Sequence, residues 1–197
     1  MQLFTLIFFF SIWPAWASVR PAQLPQEAKT FDANVTLVNF KQSEESKVRE
    51  ALSLIRKVVA SPLFRERLLG YQFQGKPAFH QNKGLSNAEI YQLILEASEK
   101  LTPGKNNRMD LELELYHEAT NTIGYTYPNV SKIWINRKYF DRYTPVQVAD
   151  NIFHEWLHKL GFDHDSTWNK SRKHSVPYAV GYLVEDLARE LENEFKL

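Results

Sequence analysis

Apolar side chains recur along this chain at two periods, and the period sorts it into helices and strands. Val48, Leu52, Ile55 and Val59 fall at helical spacing, and Glu44 and Glu45 ahead of them suit the positive end of a helix dipole. Ser61-Pro62 stops that segment, and a second short helix is predicted from Pro62 to Leu69, closed by Gly70. Ser86 and Glu89 form a capping box before a helix that buries Ile90, Leu93, Ile94, Ala97 and Leu101, with Thr102-Pro103-Gly104 ending it. Thr144, Pro145 and Gln147 start another helix, whose apolar arc is Val146, Ala149, Ile152, Phe153, Trp156, Leu157 and Leu160. A last helix follows Pro177 and carries Tyr178, Tyr182, Leu183, Leu187, Leu191 and Phe195.

Alternation predicts the strands. Val35 to Phe40 puts Val35, Leu37 and Asn39 on one face, and Asp110 to Tyr116 sets Leu111, Leu113 and Leu115 against a wet face of Glu112 and Glu114. Ile123 to Tyr127 and Lys132 to Asn136 read as two more strands around Pro128-Asn129 turn chemistry. Tyr71 to Gly84 is an aromatic loop or short hairpin, and Asp165 to His174 is polar loop. The 197 residues are one domain's worth, and 44% hydrophobic composition allows a substantial core. A formal charge of +1 carries no nucleic-acid or membrane-surface signature.

Residues 1–17 hold no charged side chain, are largely apolar from Leu3 to Trp13, and end in the small-x-small triplet Ala15-Trp16-Ala17. That reads as a signal peptide cleaved after Ala17, which implies a secreted or periplasmic protein with no membrane association after cleavage. Residues 18–30 are a proline-containing leader or linker, and 31–197 form a single domain. The chain has no cysteine, which excludes a thiolate zinc centre, a cysteine nucleophile and a disulfide scaffold.

The chemistry concentrates at residues 154–164, which spell H-E-x-x-H-x-x-G-x-x-H. On a helix His154 and His158 lie one turn apart on one face, so one ion can sit between them. Glu155 is about 100° further round and can reach water on that ion without ligating it. Gly161 lets the chain turn, because it takes positive φ freely, and the turn returns His164 as a third nitrogen ligand. Three imidazoles leave a fourth tetrahedral zinc position open, the arrangement of a catalytic site. One Zn2+ is therefore expected on His154, His158 and His164, with Glu155 as general base. Asp163 as a substitute ligand and His117 as an auxiliary one are the lesser possibilities, and Asp165 is expected to orient the loop or bond a ligand histidine.

This pattern resembles the zinc-binding consensus of the metzincin metallopeptidases, and Asp165 after the third His is similar to the adamalysin type. The resemblance implies an α+β zincin-like domain: a small twisted mixed sheet packed on helices, with the active-site helix at about 145–160. It implies a zinc endopeptidase acting on peptide or protein substrates, held against the sheet's edge strand, here Gly124 to Tyr127. The pattern departs from the family in one respect. Metzincins carry a methionine turn beneath the zinc, and no methionine follows His164 here. Ser175-Val176-Pro177-Tyr178 stands in its place, with Val176 or Pro177 as floor and Tyr178, or else Tyr182, as the phenol that would donate to the oxyanion. Two further functions fit the same residues: a zinc amide hydrolase acting on cell-wall peptides, and a non-catalytic metal-binding interaction module. The sequence leaves oligomeric state open.

Overall fold

A computed structural model describes residues 30–127 and 129–194. The signal segment, nearly all of the leader, Pro128 and Phe195 lie outside the described residues. The first strand, β1 (Asp32–Val38), begins three residues earlier than the alternation suggests. It buries Ala33, Val35 and Leu37 partly against the core, while Asp32, Asn34 and Thr36 face water. Asn39 does not continue that face. It takes φ 64°, the left-handed conformation an asparagine tolerates, and ends the strand.

Helix α1 (Gln42–Ala60) is capped where Glu44 Oε2 accepts from the Lys41 backbone N–H at 2.6 Å. Its apolar stripe is fully buried. Helix α2 (Pro62–Leu69) follows Ser61, whose hydroxyl accepts from Phe64 N–H. Helix α3 (Asn87–Glu96) starts in the predicted capping box, but it ends at Ala97, in left-handed conformation, and not at Thr102. Tertiary capture explains the early stop. Glu99 turns into the core to accept from Trp156 Nε1 at 2.7 Å and from Asp110 N–H at 2.9 Å, and Asn107 Nδ2 donates to the Leu95 carbonyl. Leu101 is consequently off the helix and 49% exposed, not core.

Strands β2 (Arg108–Tyr116), β3 (Gly124–Thr126) and β4 (Lys132–Asn136) complete a four-stranded mixed sheet in the order β1-β2-β4-β3. The pairs β1–β2 and β2–β4 are parallel, whereas β3 runs antiparallel to β4 and forms an edge. One face carries Met109, Leu111, Leu113, Leu115, Ile133 and Ile135, all buried beneath helices. On the other face Lys132 pairs with Glu112 and Glu114, and Trp134 stacks on Tyr125 at 5.0 Å. Tyr125 of β3 thus belongs to the outer face and not to the core. A one-turn helix, α4 (Arg137–Phe140), leads to the long helix α5 (Pro145–Lys159) and, after a 3-10 turn at Arg172–His174, to α6 (Val176–Glu194). Helix α5 packs on α1 and α6 and touches β3, so its polar side opens between β3 and α6. Among the described residues no helix is long and apolar enough to cross a membrane.

Candidate metal centre

Helix α5 is the frame of the site. Thr144 Oγ1 accepts from Gln147 N–H while Gln147 Oε1 accepts from Thr144 N–H, which closes the predicted capping box. Every member of the predicted apolar arc is buried, so packing fixes the rotation of the helix about its axis. Gln147 is consumed by the cap. Asn151, His154, Glu155 and His158 line a cleft of about 500 Å3.

The helix ends at a glycine turn. Gly161 has φ 96°, and its N–H and that of Phe162 return to the His158 and Leu157 carbonyls. Phe162 is driven into the core, and two residues later His164 faces the helix again. The ligand atoms of His154, His158 and His164 then lie within 4.8 Å of one another, and these three residues could hold a metal ion. His154 Nε2 and His164 Nε2 are 3.3 Å apart. His158 Nδ1 meets the Phe162 carbonyl at 2.7 Å and His164 Nδ1 meets the Asp165 carbonyl at 3.1 Å, while the backbone of Pro177 lies by the His154 ring. With the Nδ1 atoms of His158 and His164 committed to backbone oxygens, their Nε2 lone pairs are left free for a metal. Burial, reinforced by the neighbouring imidazoles, holds His154 well below the usual histidine range, and burial lowers His158 and His164 as well. Neutral imidazoles are the form that binds metal.

Tyr178, at the start of α6, closes the floor. Its ring lies 4.4 Å from the His154 ring and 4.8 Å from that of His164, and Val176, two residues before it, is fully buried. Tyr182, one turn on, lines the same cleft 5.9 Å from Tyr178. Glu155 is buried in the cleft wall. Burial pushes its carboxyl up to about 8 against the pull of Lys159, whose own ammonium burial brings down to about 8 while it donates to the Val130 and Lys132 carbonyls.

The remaining sequence candidates fall outside this cluster. Asp163 is exposed and pairs with Lys83 at 2.8 Å, and His117 is exposed at the end of β2. The Asp165 carboxylate touches no imidazole of the cluster. It gathers His80 Nε2, Gln81 Nε2 and Asn169 Nδ2, tying the third-histidine loop to the loop at 71–84, while its backbone carbonyl holds His164.

Two charged residues in the cleft are not singled out by the sequence patterns. Arg172 stacks over the Tyr178 ring at 5.0 Å and leaves its Nε buried without a partner. No spacing rule links it to the histidines, because an irregular loop brings it there. Asp150 precedes His154 by four residues, and helical arithmetic alone puts it on the histidine face. Burial, with Glu185 and Asp186 nearby, pushes its carboxyl up to about 7. Compared with known proteins, the chain matches no family model and no curated protein sequence.

Proposed function

We propose that this protein is a zinc-dependent endopeptidase with a metzincin-like site. The observation that carries the reading is the convergence of three imidazoles within 4.8 Å, two of them held through Nδ1 by backbone carbonyls, beside a buried glutamate in one cleft. Zinc fits the donor set. Two nitrogens about 2.05 Å from a tetrahedral ion stand roughly 3.3 Å apart, and His154 Nε2 and His164 Nε2 are separated by 3.3 Å. An all-imidazole set also suits zinc better than calcium or magnesium, which take oxygen ligands.

Zinc in that position would supply Lewis-acid polarisation of the scissile carbonyl and acidify water. Glu155, desolvated and therefore more basic than an exposed carboxylate, accepts the proton of the attacking water and hands it to the leaving nitrogen. Tyr178 and Arg172 supply the hydrogen-bond donors of the same cleft, suited to an oxygen that gains negative charge. The β3 edge offers backbone groups to an extended peptide, and Gly124 lets that edge lie close to α5, since a Cβ there would stand 3.0 Å from Asn151 Oδ1. Export through the 1–17 segment belongs to the same proposal.

Glu155→Gln is the test. The variant should hold zinc stoichiometrically and lose cleavage of an unstructured protein such as casein by at least about a hundredfold, the scale of a general base. If wild type and variant both hold zinc and are equally inert toward casein and a broad peptide library, the endopeptidase reading is overturned and a non-catalytic metal module takes its place.

A further inference from the structure

The cleft continues past the histidines along α5. Asp150 lies one helical turn before His154, about 6 Å along the axis, and lines the cleft with Asn151 and Tyr182. Its seat is made by a missing side chain: a Cβ on Gly181 of α6 would stand 2.4 Å from Asp150 Oδ1. Among the described residues its carboxylate has no hydrogen bond or ion pair, and the charges that act on it, Glu185 and Asp186, share its sign. Asn151 beside it has Oδ1 buried without a partner, so this end of the cleft collects unmatched acceptors. Arg172, the cation among the lining residues, is held over Tyr178.

Asp150 is half-buried, its carboxylate met by water alone beside the buried unpaired Asn151 Oδ1, and a donor that displaces that water would be favoured there. A second metal ion does not fit. Among the described residues no trio of His, Asp or Glu other than the three imidazoles converges within 4.8 Å. An organic cation needs only one or two acceptors and an aromatic wall, which Tyr182 supplies. Its distance from His154 is spanned by the side chain of a residue flanking a carbonyl at the histidines.

We infer that Asp150, seated against Gly181, determines specificity by receiving the ammonium or guanidinium of a lysine or arginine next to the scissile bond. The inference rests on the endopeptidase reading. Its test uses the zinc-loaded full chain and two peptides, blocked at both ends, that differ only by lysine or norleucine at one flanking position. Wild type should favour lysine in kcat/KM by at least about tenfold. Asp150→Asn, which keeps the shape, should bring the ratio close to one, and Asp150→Lys should turn the preference toward a glutamate peptide. A purely structural role would lower both rates alike. A ratio that survives Asp150→Asn, or a wild type with no preference, overturns the assignment. If zinc is held and neither peptide is cut, the endopeptidase reading falls by itself. Asp150 is then judged by titration with butylammonium: weaker binding to Asp150→Asn supports the site, and equal binding to both proteins overturns it.

Discussion

At the scale of single residues, the site depends as much on what holds the imidazoles as on the imidazoles. The two carbonyls that hold His158 and His164, those of Phe162 and Asp165, lie in the turn that follows α5. The Asp165 side chain pins that turn to His80, Gln81 and Asn169. Asp165→Ala should therefore weaken zinc binding by about tenfold without removing a ligand, read by competition with a chromogenic chelator. His164→Ala should weaken it far more, and unchanged affinity there would remove the three-histidine site. Tyr178→Phe tests the phenol as a donor. We expect kcat to fall about a hundredfold with KM nearly unchanged, whereas a tyrosine that merely packs would tolerate the loss of its hydroxyl. The three-histidine cluster and the glutamate beside it were legible in the sequence because they obey a local spacing. Arg172 was not, since its approach to Tyr178 depends on the path of a loop.

At the scale of elements, α5 and its two ends are decisive. The capping box at Thr144 fixes where the helix begins, and the buried arc fixes which way the histidines point. Thr144→Ala should cost about 1 kcal/mol, measured by denaturant unfolding, with zinc affinity little changed, because the histidines lie at the other end. Gly161→Ala is the contrasting case. Lys100 could swing aside, but φ 96° remains strained for a side chain. The variant should lose on the order of 1–3 kcal/mol of stability, and it should also lose zinc, since the same turn presents His164. Helix α3 shows where periodicity misleads. Its apolar spacing runs on to Leu101, yet the helix stops at Ala97 because Glu99 is worth more as a buried partner of Trp156 than as another helical residue.

At the scale of the whole molecule, the cleft carries charge that folding has desolvated. Folded Asp150 holds its proton up to about 7, against a normal 3.8, so its contribution is full below about pH 4 and is lost as the pH rises through 7. Metal-free Asp150→Asn should then be more stable than wild type at pH 8, by on the order of 2–4 kcal/mol, with the difference vanishing near pH 4 in thermal melts. Histidine titration acts in the opposite sense. The three depressed imidazoles contribute stability above the ordinary histidine range that disappears as the pH falls through their folded values. The proposed zinc site exists only when the turn and helix are assembled, so zinc at a thousandfold excess over its Kd should add about 4 kcal/mol, and a chelator should reverse the gain.

Chain order by itself determined everything that depends on neighbours within a few residues. The caps at Ser86 and Thr144, the stripe of α5, the alternation of β2 and the 154–164 pattern all follow from φ/ψ preference and periodicity, which act locally. Tertiary structure decided what depends on distant partners. It ended α3 at Ala97, exposed Leu101, sent Tyr125 to the outer face against Trp134, and tied Asp165 to the loop at 71–84. It also set Pro177 against His154, Arg172 over Tyr178 and Asp150 against Gly181. Those contacts join segments tens of residues apart in most cases, and their geometry is chosen by packing of the whole core, to which no local period has access.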